Sequence, residues 1–188
     1  MNHGGMAVAL VGPTASGKSA LAHRLALASD GDIEILAVDA MTVYRGMDLA
    51  TAKPTSAQRG EVAYHLLDLV EPSEEFTVAA FQAAAREAAD DVWRRGGLVL
   101  YVGGTGLYGR AVLDNFDIPS QYPHLRAQLD AQAEHGLSDL YAQLVALDPL
   151  AASRMEPTNA RRVVRALEVT LGSGRAFSSY GAGLRTYG

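Results

Sequence analysis

Along the first 115 residues, short apolar runs alternate with longer stretches in which apolar positions recur every three to four residues. The runs Ala7–Val11 (AVALV), Ile33–Val38 (IEILAV) and 98–102 (LVLYV) are too short for helices, and each reads as a buried strand. Between them, residues 18–28 carry a helical pattern with Leu21 and Leu25 on one face. In 77–93, Phe81, Ala85, Ala88 and Val92 fall at helical spacing, and Gly96 and Gly97 supply the stop. A further helix is expected from about residue 105 to 113. Residues 40–53 have no clean period and read as a loop. Residues 54–61 are polar and suit a short helix or loop, and 66–70 form a brief apolar segment of undecided type.

The pattern changes after Asn115. Two prolines in 116–123 mark a connector, and beyond it only helical periods occur, at about 125–134, 138–147 and 159–171. Strands alternating with helices predict an α/β fold with a parallel-sheet core over 1–115, and the phosphate-loop motif GPTASGKS at 12–19 makes that core P-loop NTPase-like. Residues 116–188 predict a helical subdomain.

Composition narrows the picture modestly. The chain has 188 residues, 48% hydrophobic and 20% charged, ordinary values for a globular protein. No cysteine is present, which removes disulfide frameworks and zinc–thiolate sites and fits a reducing, cytoplasmic location. The start, MNHGGM, lacks a basic region before an apolar run, so no signal peptide is expected. No apolar stretch reaches the ~18 residues of a membrane span, so no membrane partner is expected. A net charge of −5 argues against indiscriminate nucleic-acid binding but leaves room for a local basic patch.

The chemistry starts at residues 12–19, GPTASGKS, which fit the phosphate-loop pattern G-x-x-x-x-G-K-[ST] between a strand and a helix. Gly12 and Gly17 let the backbone of Pro13, Thr14, Ala15 and Ser16 curl so that N–H groups face phosphate oxygens. The following helix adds its positive end. Lys18 supplies a cation, and the Ser19 hydroxyl is placed to ligate Mg2+. Asp39 and the stretch Gly103, Gly104, Thr105 also lie just past strand ends, at the sheet edge where α/β proteins bind ligands. Asp39 has three readings: a water-mediated Mg2+ partner, a loop cap, or a general base toward an acceptor that gains positive charge. Thr105 suits a helix N-cap or a hydroxyl aimed at substrate. From Arg154 to Arg175 there are five arginines and two acids, with Arg161, Arg162 and Arg165 on one helix. This patch is either a solvated face or a contact for a phosphate backbone. His65 and Trp93 read as packed or hydrogen-bonded residues, and Tyr44 carries no strong signal.

Taken together, GPTASGKS (12–19), VDAMTVYRGMDLATAKP (38–54), HLLDLVEP (65–72), LYVGGTGLYGRAVL (100–113) and NARRVVRALEV (159–169) resemble the tRNA dimethylallyltransferases, also called tRNA isopentenyltransferases. The resemblance covers most of residues 7–175. It implies transfer of a dimethylallyl group from dimethylallyl pyrophosphate to the exocyclic amine of the adenosine 3′ to the anticodon of tRNA. It further implies that the phosphate loop receives pyrophosphate, with Lys18, Ser19 and Mg2+ stabilising its departure, and that Asp39 takes the amine proton. Thr105 then lies near the reacting centre. Asp39, Ala40, Met41 and Thr42, together with Arg126, Asn159, Ala160, Arg161, Arg162, Val163 and Arg165, fall in regions that contact the tRNA anticodon stem-loop, which the helical subdomain would grip.

Some positions depart from the family. Ala40 stands for a usual serine, Thr42 for a frequent glutamine, and Ala50 for a glycine in DxGTAK. Family members also return to the core with a further strand and basic residues near the pyrophosphate. Without that return, slow or absent transfer and an open, association-prone sheet edge are expected of these residues. Two rival readings are an ATP-dependent small-molecule kinase on the same loop and an inactive RNA- or nucleotide-binding remnant.

Overall fold

A computed structural model describes residues 5–49, 51, 53–104, 106–115 and 117–180. The chain divides into two compact units, Met1–Asn115 and Phe116–Gly188.

The first unit is a four-stranded, all-parallel sheet. Its strands are β1 (Ala7–Val11), β2 (Ile33–Val38), β3 (Tyr64–His65) and β4 (Leu98–Gly103), in spatial order β1-β4-β2-β3. Helices α1 (Lys18–Leu27), α2 (Ser56–Glu61), α3 (Val78–Arg94) and α4 (Leu107–Leu113) make the connections. The two inner strands bury both faces. Leu36 and Val99 pack with Phe81, Ala85 and Val92 of α3, while Ile35 and Leu100 pack with Ala22 and Ala26 of α1. Such two-sided burial explains why β2 and β4 read as nearly continuous apolar runs.

β1 differs from its expectation as a buried strand. Among the described residues it pairs only with β4, and Val8 stays 57% exposed and Val11 45% exposed. On α1, Leu21 and Leu25 are likewise exposed, and the helix turns the small Ala22 and Ala26 and the ring of His23 inward. An edge strand has one unpaired side, so an apolar run alone does not determine burial.

Register sets the level of the strand ends. Gly103 lies opposite Val11 on one side and Val38 on the other. A Cβ at Gly103 would meet the carbonyl oxygen of Val38 at 2.1 Å, so only glycine fits between these strands. The three strands therefore finish together, and Gly12, Asp39 and Gly104 leave the sheet at one edge.

The second unit is helical, with α5 (Pro123–Leu147), α6 (Pro149–Ala152), α7 (Ala160–Ser173) and a 3-10 turn at Phe177–Ser179. α5 is one element broken at Gly136, whose φ of −163° and ψ of 59° are not helical. That break lies between the two helices expected at 125–134 and 138–147. Leu129, Leu140 and Leu144 of α5 pack on Val163, Val164 and Leu167 of α7. Two carboxylates are buried in this unit and fully engaged. Asp148 accepts hydrogen bonds from the amides of Ala151 (3.0 Å) and Ser178 (2.7 Å). Glu168 accepts from the Tyr122 amide at 2.8 Å.

Candidate functional site

Residues 12–19 form a loop held by its own backbone. The Gly12 amide donates to the Gly103 carbonyl at 3.3 Å, and the Ser16 amide donates to Pro13. Gly17 sits in the left-handed region at φ 82°, and so does Ala15 at φ 64°. The turn needs both conformations, and glycine supplies the first without steric cost. Gly17 is also the N-cap of α1, and no side chain caps that helix end. Its first amides and positive dipole end remain available to an anion. The Lys18 ammonium rests on the Pro13 carbonyl at 3.0 Å and makes no ion pair among the described residues. The cation is parked rather than consumed.

Asp39 follows β2 directly and is exposed. One carboxylate oxygen accepts the Met41 amide at 2.8 Å, which fixes its orientation, and the other has no hydrogen-bond partner among the described residues. Thr42 is buried, and its hydroxyl donates to the Asp39 carbonyl at 3.2 Å. Of the four residues 39–42, Asp39 and Met41 face solvent, Ala40 is half-buried, and the Thr42 side chain serves the loop itself. Thr105 lies outside the described residues; the N-cap of α4 is Gly106.

The segment after Asp39 is anchored by an ionic network that no sequence pattern announced. The Lys53 side chain is 1% exposed, and its ammonium donates to the Asp68 carboxylate at 2.7 Å, the Asp48 carboxylate at 3.1 Å and the Tyr44 carbonyl at 2.5 Å. Arg59 takes the second oxygen of Asp68 at 2.5 Å. Arg45 reaches the Asp68 and Leu69 carbonyls and Glu71. Burial opposes both charges of the central pair. Hydrogen bonds from Lys53 and Arg59 outweigh it and hold the Asp68 carboxyl below its ordinary range. Hydrogen bonds to Asp68 and Asp48 likewise hold the Lys53 ammonium above its own. The only hint in the sequence is that Lys53 and Asp68 both lie in stretches shared with the resembled family.

In the helical unit the arginines divide. Arg165 donates to the Pro119 and Ser120 carbonyls at 2.9 and 3.3 Å and pairs with Glu168 at 2.9 Å. Arg126 pairs with Asp130 at 2.8 Å and lies 3.6 Å from Glu168. Arg161 and Arg162 are exposed in the first turn of α7, with no ion pair among the described residues. Asn159 caps this helix by accepting the Arg162 amide at 3.2 Å. Val163 is fully buried in the core and Ala160 is half-buried, so neither offers a side chain outward as Arg161 and Arg162 do. Of the three arginines expected on one helix, two are thus open, and the third is committed to the connector.

The residues also bear on a metal. Among the described residues no cluster of three or more histidine, cysteine, aspartate or glutamate side chains has metal-binding geometry. Mg2+ needs no such cluster, since it usually binds through a hydroxyl or one carboxylate together with substrate phosphates and waters. Ser19, exposed at the first turn of α1, fits that kind of site. No helix among the described residues is long and apolar enough to cross a membrane.

Comparison with known proteins agrees with this architecture. The IPP transferase family model matches residues 42–185. A tRNA dimethylallyltransferase of Salinispora arenicola is 49% identical over 176 residues, 93% of this chain and 51% of that protein. One from a Roseiflexus species is 48% identical over 91% of this chain and 56% of its own length. The chain therefore spans about half the length of these relatives. Among solved structures, the tRNA isopentenylpyrophosphate transferase of Bacillus halodurans is similar at a TM-score of 0.56 and 41% identity, covering 90% of this chain and 56% of that one. A eukaryotic dimethylallyltransferase acting on tRNA gives a TM-score of 0.77 at 30% identity, covering 93% of this chain and 44% of the other. With three quarters of its length inside the family model and its fold shared with solved members, this chain belongs to the IPP transferase family.

Proposed function

We propose that this chain takes part in transferring a dimethylallyl group from dimethylallyl pyrophosphate to the exocyclic amine of the adenosine 3′ to the anticodon of tRNA. One observation carries the reading. The register around Gly103 brings an uncapped phosphate loop and an oriented, exposed carboxylate to the same sheet edge, in a chain of this family.

The diphosphate binds the backbone amides of Thr14, Ala15 and Gly17, which the loop does not use itself, and the open end of α1, with Lys18 leaving Pro13 to meet it. The adenine amine attacks the C1 carbon of the dimethylallyl group. An N–C bond forms, and the C–O bond to pyrophosphate breaks. The nitrogen gains positive charge, and its proton passes to the unengaged oxygen of Asp39. A carboxylate suffices there because the amine has become acidic. The loop and Lys18 stabilise the charge that collects on the leaving oxygens. Ser19 would hold Mg2+, which supplies further charge neutralisation when bound. The adenine must leave its stack to reach this edge, and Arg161 and Arg162 provide phosphate contacts.

The relatives offer no support for the ATP-kinase alternative. The test is to incubate the chain with labelled dimethylallyl pyrophosphate and unmodified tRNA and to digest the product. Prenylated adenosine supports the proposal. Release of ADP from ATP, or no prenylated nucleoside together with no pyrophosphate binding, would sink it.

A further inference from the structure

We infer that Lys53 is a positioning residue for Asp39, and that its buried contacts with Asp68 and Tyr44 hold the loop from which the base acts. The claim rests on the proposed reaction for its kinetic part and on the geometry alone for its structural part.

Lys53 has three ammonium protons and three acceptors: Asp68, Asp48 and the Tyr44 carbonyl. A lysine whose side chain is 1% exposed and whose ammonium is fully engaged has no proton left for a ligand. A surface lysine gains little from such a placement, since an ion pair taken out of water must first offset its desolvation. This lysine sits where two backbone segments meet. On one side is the segment leading out of β2. The Thr42 carbonyl accepts the Asp68 amide at 3.1 Å, and the Val43 carbonyl accepts the Leu69 and Val70 amides at 2.7 and 3.1 Å. The Arg45 amide returns a bond to the Val70 carbonyl at 2.9 Å. On the other side, Asp68 holds a left-handed backbone at φ 54°, a conformation that aspartate tolerates but does not prefer.

Lys53 joins the two sides, through the Asp68 carboxylate on one and the Tyr44 carbonyl on the other. Asp39 lies three residues before Thr42 and is tied to it by the Thr42 hydroxyl, while the Met41 amide aims its carboxylate. Val43, fully buried between these bonds, keeps the segment from sliding. Lys53 therefore acts on Asp39 through Asp68 and the 42–44 backbone, without touching it.

The experiment compares Lys53→Met and Asp68→Asn with the unaltered chain by amide hydrogen exchange and by prenyl transfer. In Lys53→Met the amides of Met41, Arg45, Leu69 and Val70 should exchange faster by about tenfold or more, as expected of a locally opened segment. Amides of β1 and α1 should keep their protection, and pyrophosphate affinity should not change. The kcat should fall by about 10²-fold, the scale of a small misplacement of a catalytic group, with KM for dimethylallyl pyrophosphate unaltered. Unchanged exchange at Met41 and Leu69 would overturn the inference. So would lost protection with an unchanged kcat, because the network would then be structural only. If Lys53→Met loses protection everywhere, Asp68→Asn decides on the same amides, since Arg59 and one amide oxygen still hold that site. If the unaltered chain transfers no prenyl group and binds no pyrophosphate, the functional reading fails separately; wherever transfer is absent, exchange at Met41 alone decides whether Lys53 positions the loop.

Discussion

The two units handle buried charge with opposite signs. The α/β unit buries a cation, Lys53, and surrounds it with two carboxylates and a carbonyl. The helical unit buries carboxylates, Glu168 and Asp148, and surrounds them with arginines and amides. In both, the engaged groups hold backbone segments, and the candidate ligand charges lie open at element ends. Lys18 and Asp39 flank the sheet edge, and Arg161 and Arg162 head α7. The lesson is that residue type and local charge do not identify a ligand group. Saturation by neighbours does. Arg165 and Arg161 are four residues apart on one helix, yet Glu168 commits the first and leaves the second open.

The largest effect is expected at Asp39, the open carboxylate. Asp39→Asn should keep the fold and pyrophosphate affinity while cutting prenyl transfer by about 10²–10⁴-fold, the usual contribution of a general base. Single-turnover rates with labelled dimethylallyl pyrophosphate measure this. Unchanged turnover would mean that an open carboxylate at this edge is not the base.

Next comes Lys18, the open cation of the same unit. Lys18→Ala removes the mobile charge facing the diphosphate and should weaken pyrophosphate binding by about 10²-fold, comparable to losing one preorganised donor. Calorimetry with pyrophosphate decides it. Lys53→Met, which removes a saturated cation, should leave that affinity alone. Equal losses in the two variants would break the distinction between open and engaged lysines.

A smaller effect separates the arginines. Replacing Arg161 and Arg162 by alanine should weaken tRNA binding and flatten its salt dependence by about 0.7–0.9 log units per lost phosphate contact. Replacing Arg126 and Arg165 instead should lower the thermal stability of the helical unit, because Glu168 would be left buried with only the Tyr122 amide. Filter binding at several salt concentrations and a melting curve give the two readouts. If the second pair shifts the salt slope as strongly as the first, Glu168 does not hold those guanidiniums in solution.

Much of the fold was legible because its signals are local. The strands at 7–11 and 33–38, the helix around Phe81, Ala85 and Val92, and the helical run after the connector all follow from periodicity. The phosphate loop, the level of Asp39 and the break at Gly136 were readable for the same reason. What could not be read was pairing across distance. β1 looks like β4 in composition, but only its place in the strand order exposes it. Leu21 and Leu25 look like a core face, yet α1 packs through alanines. Lys53 and Asp68 are 15 residues apart, on segments without a clean period. The three arginines of α7 are alike in sequence, and only the folded position of Glu168 and of the Pro119 carbonyl tells Arg165 from the others.

The smallest expected effect concerns Asp148, the helical unit's counterpart of Asp68. Burial opposes its charge, but hydrogen bonds from the Ser178 and Ala151 amides, with Arg154 nearby, outweigh burial and hold its carboxyl below the ordinary value of 3.8. A carboxyl lowered on folding adds stability that is present above its unfolded value and is lost as pH falls through its folded value. For Asp148 that loss begins just under pH 3.8 and continues below it. Asp148→Asn keeps one acceptor but loses the charge, so it should cost about 1–3 kcal/mol at pH 7, the cost of leaving one buried amide donor without its partner. The gap between the variant and the unaltered chain should narrow as pH drops, because acid neutralises the native carboxylate too. Urea midpoints at pH 7 and pH 3 measure both parts. A gap of the same size at both values would show that Asp148 acts through shape alone, and that charge in this unit is not organised around its buried carboxylates.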